Sequence, residues 1–182
     1  MAKAIAMVEY LTVATGVQAA DTMVKTAEVE LLEAEVVCPG KYIVLISGDL
    51  SAVRAAVENS KAQHPDKLID SFVLGNPHEA IFPAIHGATE VENPRALGVI
   101  ETYSAASIIV AADTAAKTAE VDLIELRIAK GMCGKSYMFI TGSVASVTAA
   151  IERTKSQMED NGFFLDSSII AKPDEKLWQT LI

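Results

Sequence analysis

The sequence predicts an α+β chain made of two tandem copies of one βαββαβ domain, each a four-stranded sheet with its helices on one side. Three observations predict it. First, Ala19 to Glu33 recurs as Ala111 to Glu125, differing only at Met23/Ala115, Val24/Ala116, Glu30/Asp122 and Leu32/Ile124. Second, the register extends along the chain. Ala4, Glu9 and Lys25 match Ala96, Glu101 and Lys117, Gly48 matches Gly142, and Asp70-Ser71 matches Asp166-Ser167. Pro77 and Glu79 match Pro173 and Glu175. Third, strand-like and helix-like periodicities alternate in the same order in both copies. The copies meet near Asn93-Pro94, giving expected domains at 1–94 and 95–182.

In the first copy, Ala4 to Glu9 is a short apolar run, which predicts a buried strand. Thr12 is placed as an N-cap, and Val13, Val17, Ala20, Val24 and Ala27 then recur at helical spacing. On the opposite face Asp21 precedes Lys25, and Asp113 precedes Lys117, by one helical turn, the spacing of an ion pair. Val29 to Cys38 and Tyr42 to Ser47 are strand-like and are joined by Pro39-Gly40. Asp49 or Ser51 is positioned to cap a second helix carrying Val53, Ala56 and Val57, and Lys67 to Leu74 makes a last strand. Pro77 to Ile85 and Pro173 to Ile182 are expected to form short extra helices. This order is that of a ferredoxin-like layer.

Composition narrows the function. The chain is 51% hydrophobic but only 5% aromatic, so its core is built from small side chains. Two lone domains of roughly 90 residues would be only modestly stable, which favours burial between domains or chains. A net charge of −9 and a pI near 4.8 argue against nucleic acid or an anionic membrane as main partner. The uncharged stretch from Thr102 to Ala112 is too short to cross a bilayer, and no secretory leader is expected. Two cysteines without a framework pattern fit a reducing cytosol.

Several motifs imitate active sites. Ala129 to Ser136 resembles a phosphate-binding loop, but Ser136 leads into a strand pattern where a helix N-terminus is needed. His64, His78 and His86 lack metal-ligand spacing, and Phe82 stands where a zinc-binding helix would carry its second histidine. No catalytic set emerges, so an enzyme is not expected. Glu9 and Glu101 each follow a strand, a place from which a carboxylate caps a helix or bridges to a neighbour. Lys25 and Lys117 are open to two readings, a solvated ion pair or an edge contact between assembled subunits. Cys38 is likewise either a small buried hydrophobe at a strand end or an accessible thiol, since Pro39-Gly40 turns the chain there.

The run Ala-Ala-Asp-Thr-x-x-Lys-Thr-Ala-x-Val, with a strand ending in Glu before it and a Gly-Lys turn after it, resembles the bacterial microcompartment (BMC) shell-protein domain. The resemblance covers both copies, with the elements in unpermuted order. It implies a pseudohexameric homotrimer that tiles a microcompartment shell beside hexameric and trimeric shell proteins. It also implies that the turns Cys38, Pro39, Gly40, Lys41 and Gly131, Met132, Cys133, Gly134 face a central pore. The first turn is similar to that of a trimeric type from propanediol-utilising compartments, in which the pore cysteine ligates a [4Fe–4S] cluster. By that resemblance Cys38 from three chains holds one cluster per trimer, Cys133 being an alternative ligand or a bystander. Electron transfer across the shell, or cluster delivery to an enclosed redox enzyme, follows from such a site. A shell trimer with an open metabolite-conducting pore is the alternative. Lys25 and Lys117 match the family's edge lysine, although Asn76 and Lys172 stand where the family often has arginine.

Overall fold

In a computed structural model describing residues 4–159 and 161–182, the expected element order is realised in each copy. The first copy runs β1 (Ala4–Tyr10), α1 (Val13–Thr26), β2 (Val29–Val37), β3 (Lys41–Gly48), α2 (Leu50–Gln63) and β4 (Leu68–Leu74). After the short α3 (Ile81–Ile85), the second runs β5 (Ala96–Thr102), α4 (Ala105–Thr118), β6 (Val121–Arg127), β7 (Ser136–Gly142), α5 (Val144–Met158) and β8 (Phe164–Ile170). A final helix, α6, spans Glu175–Leu181. Both sheets are antiparallel, in the order β2-β3-β1-β4 and β6-β7-β5-β8. The register repeats too: Glu9 sits between Ile43 and Asp70, and Glu101 between Tyr137 and Asp166.

Two compact units divide the chain. One runs to Pro77 and includes Ser104–Ser107 and Ala129–Gly134. The other comprises His78–Tyr103, Ile108–Ile128 and Lys135–Ile182. The start of α4 and the tip of the second turn therefore fold with the first sheet.

Period-two alternation decides the first core. Ala4, Ala6, Val8 and Tyr10 of β1 pack with Ala19, Ala20 and Met23 of α1 and Val53, Ala56 and Val57 of α2. The small residues permit close approach. A Cβ on Gly16 of α1 would lie 2.2 Å from the Cβ of Tyr42, so that helix requires glycine there. Tyr10 is fully buried and satisfies its hydroxyl on Ser60 Oγ at 2.8 Å. In the second unit, Trp178 of α6 packs with Leu97 and Ile124, flanked by Val99 and Phe139.

Details at the element ends differ from expectation. β2 stops at Val37, leaving Cys38 in the turn. β4 begins at Leu68, because Pro65 opens a single 3-10 turn through Lys67. Thr12 and Asp49 take the N-cap positions of α1 and α2, yet neither side chain caps its own helix. Among the described residues, no helix is long and apolar enough to cross a membrane.

Candidate functional site

The site is the hairpin between β2 and β3, together with the chain segments folded against it. Val37 to Gly40 closes through the Gly40 N–H, which donates to Val37 O at 2.9 Å. Gly40 has φ +108°, a conformation that disfavours a side chain, and an added Cβ would meet nothing within 4 Å. Cys38 is half-buried and free, and its N–H donates to Ala129 O at 3.1 Å. The thiol thus sits on a turn whose backbone is fixed, beside open space.

Lys41 anchors the hairpin from the other side. Its Nζ lies 2.7 Å from the fully buried carboxylate of Glu9 and donates to Gly134 O at 3.2 Å. The second oxygen of Glu9 accepts the N–H of Ala105, the first residue of α4, at 2.9 Å. Glu9, the last residue but one of β1, therefore caps the start of α4 and pairs with Lys41 of the hairpin. Gly134 is tightly enclosed, since a Cβ would lie 2.9 Å from Lys41 Cε and its φ is +86°. Asp70 completes the cap of α4, accepting from the hydroxyls of Ser104 and Ser107.

A second charged cluster lies along β2. Lys130 Nζ is 2.6 Å from Glu35 and 3.8 Å from Glu33. Burial and a hydrogen bond to Glu35 push the Glu33 carboxyl up to about 6, against the opposing pull of Lys130. The sequence reading did not single out these residues. Alternation along β2 places Glu33 and Glu35 on one side, a visible signal, but their partner lies in a distant turn.

The second turn is built differently. Cys133 is exposed and free, with φ +52°, and Ala129 also has positive φ at +57°. A non-glycine residue in this region costs about 1–2 kcal/mol. Ser136 starts β7, so the phosphate-loop imitation lacks its helix, as the sequence indicated. Lys25 and Lys117 both pair with their aspartates at 2.7 Å. The Lys25 pair is exposed, whereas Asp113 is 6% exposed and also accepts the N–H of His78. His64 stands edge-on to Tyr10, and His78 Nδ1 accepts from the Ala80 N–H. Among the described residues, no group of three or more His, Cys, Asp or Glu side chains is placed to hold a metal ion within one chain.

The paired sheets, the unpermuted element order and the two turns define the fold of a tandem-domain shell protein. The BMC domain matches residues 4–77 and 96–173, and the chain belongs to that family of bacterial microcompartment shell proteins. Over its whole length it is 36% identical to the microcompartment shell protein PduT of Citrobacter freundii, covering 99% of that protein. It is 29% identical to the carboxysome assembly protein CcmO of a Synechocystis strain, over 89% of this chain and 59% of that one. A crystal structure of a microcompartment protein from Desulfitobacterium hafniense superposes with a TM-score of 0.86 at 45% identity, covering 98% of this chain and 99% of the other. The fused permuted shell protein MSM0275 of the RMM microcompartment shares the fold at TM-score 0.66 and 19% identity, covering 87% and 82%.

Proposed function

We propose that this shell protein is a homotrimer whose central pore is lined by the two turns, with Cys38 from three chains holding one [4Fe–4S] cluster. The observation that carries the reading is the setting of Cys38: a free, half-buried thiol on a turn fixed by Ala129 O and Lys41, next to unfilled space at Gly40. The donor set fits the group only in an assembly. One chain offers one thiolate at this turn, whereas a cubane cluster takes four ligands, so three symmetry copies supply three and an external ligand the fourth. The bound cluster supplies one-electron redox chemistry, for transfer across the shell or delivery to an enclosed redox enzyme.

The chain's own residues do the positioning. Pro39 and Gly40 turn the backbone, the Cys38 N–H is held, and Lys41 has its charge neutralised by Glu9. Cys133, exposed on a turn of positive-φ residues, is a bystander thiol in this reading. Lys25 and Lys117 lie at the lateral edges, where neighbouring hexameric and trimeric shell proteins pack.

Iron and acid-labile sulfide, measured per trimer after anaerobic purification, test the reading. About four of each, lost in Cys38→Ser, is the expected result. No iron after reconstitution overturns the cluster and leaves an open pore that conducts small metabolites.

A further inference from the structure

Each of the two turns carries a thiol, and the backbone brings the turns together. The segment Ala129–Gly134 folds with the first sheet and straddles Cys38. At its start, Ala129 O accepts the Cys38 N–H at 3.1 Å. At its end, a Cβ on Gly134 would lie 3.1 Å from Cys38 O, and Gly134 O accepts from Lys41 Nζ. Cys133 is one Cα step of about 3.8 Å before Gly134. These contacts keep the Cα atoms of Cys38 and Cys133 within about 11 Å of each other. A disulfide needs about 7 Å or less, so a small movement of the tip is enough to close the approach. The tip has room for it: a Cβ on Gly131 or on Gly40 would meet nothing within 4 Å.

Cys133 also stands where a side chain is unfavourable. Its φ of +52° is a left-handed conformation that favours glycine, and Gly131 and Gly134 on either side of it have positive φ. The thiol of Cys133 is exposed and that of Cys38 is half-buried, and both are free. A reagent in solvent therefore meets Cys133 first, with Cys38 held close behind it. This is the order of a thiol that is attacked and a thiol that resolves.

We infer that Cys38 and Cys133 form a reversible intrachain disulfide when Cys38 carries no metal, locking the two turns together. A small-molecule disulfide is the oxidant. The Cys133 thiolate attacks one of its sulfurs, forming a mixed disulfide and releasing one small thiol. The Cys38 thiolate then attacks the Cys133 sulfur, the protein disulfide forms, and the second small thiol leaves. The two protons of the cysteines end on the two released thiols, and the oxidant takes up the two electrons that the cysteines give. An exposed bond on a strained turn is readily reduced, so the lock is reversible. Cys133 is thus a bystander to the cluster and the partner of Cys38 in its absence. The consequence for the site rests on the cluster reading above: while the bond stands, Cys38 has no thiolate to offer iron. The disulfide itself does not rest on that reading.

Metal-free native protein treated with oxidised glutathione tests the inference, followed by thiol titration, non-reducing gel and peptide mass mapping. Expected are loss of both free thiols, a single-chain band, and one linked peptide pair holding Cys38 and Cys133. Dithiothreitol should restore both thiols. In Cys38→Ser a glutathione adduct on Cys133 should persist, because no second thiol resolves it. Separate adducts on the two cysteines of the native protein overturn the inference, as do chains linked to one another or thiols that stay free. Reduced protein reconstituted with iron and sulfide is oxidised in parallel, and its disulfide should form about tenfold more slowly or less, because iron occupies Cys38. No iron uptake overturns the cluster reading and leaves the disulfide standing. Iron uptake with no disulfide in the metal-free protein strikes this inference alone, and equal oxidation rates with and without iron overturn the competition for Cys38.

Discussion

Glu9 and Glu101 occupy the same position in two copies of one domain, and their surroundings could hardly differ more. Glu9 is fully buried, with Lys41 on one oxygen and the Ala105 N–H on the other. Glu101 is part-exposed, with Lys135 at 3.8 Å. Duplication supplied the same residues twice, but a chain with two copies can join them only once. The difference teaches that burial here belongs to the junction between copies rather than to the domain.

The strongest way to break this comparison is to remove each lysine in turn. Lys41→Met leaves the Glu9 carboxylate buried without its cation, and a loss of about 3–5 kcal/mol is expected in chemical denaturation. That loss should not depend on protein concentration, because both partners belong to one chain. Lys135→Met should cost no more than about 1 kcal/mol, because its contact with the part-exposed Glu101 is a loose 3.8 Å. Equal losses for the two variants would erase the distinction.

A packing difference gives the next effect. Gly16 faces Tyr42 in the first copy, and the repeat places Ile108 and Ser136 at the equivalent positions. The bulk has changed sides. Gly16→Ala forces a Cβ into Tyr42 and should cost about 1–3 kcal/mol. Combining Gly16→Ile with Tyr42→Ser, the second copy's pairing, should be milder than Gly16→Ile alone when thermal midpoints are compared.

The carboxylates of β2 sharpen the comparison through pH. Glu33 is raised from 4.5 to about 6, so the folded chain binds a proton that the unfolded chain releases at lower pH. Stability from this group is present below pH 4.5 and is lost as pH rises to about 6, by roughly 1–2 kcal/mol. Glu33→Gln should flatten the stability profile across that window, while Glu125→Gln in the second copy should leave it in place.

The smallest effect belongs to Lys25, whose pair with Asp21 is exposed on both sides. Lys25→Ala should change chain stability by no more than about 0.5 kcal/mol. In negative-stain images the same variant should still form trimers but assemble into sheets less well. Unchanged sheets would remove Lys25 from the lateral edge.

Much of the fold was legible because repetition checks each local signal twice. The strand that carries Glu9, which runs one residue further than expected to Tyr10, the helix with its Asp21–Lys25 pair and the hairpin at Pro39-Gly40 lie where periodicity places them. The Glu9 and Asp70 carboxylates were visible as repeated residues. Their partners were not, because Ala105, Ser104 and Ser107 are distant in sequence and carry no motif of their own. Lys130 was hidden for the same reason: its link to Glu33 and Glu35 depends on where the longer turn comes to rest. The end of β2 depends on a turn that periodicity cannot time, so Cys38 fell within the expected strand but lies just outside it.

The two cysteines provide the most direct test of the account. Reduced, anaerobically purified Cys38→Ser and Cys133→Ser are compared with the native protein by EPR at equal trimer concentration. The account predicts a [4Fe–4S] signal in the native protein and in Cys133→Ser, and none in Cys38→Ser. A signal that survives in Cys38→Ser and disappears in Cys133→Ser would contradict it, and would move the ligand to the exposed turn of the second copy.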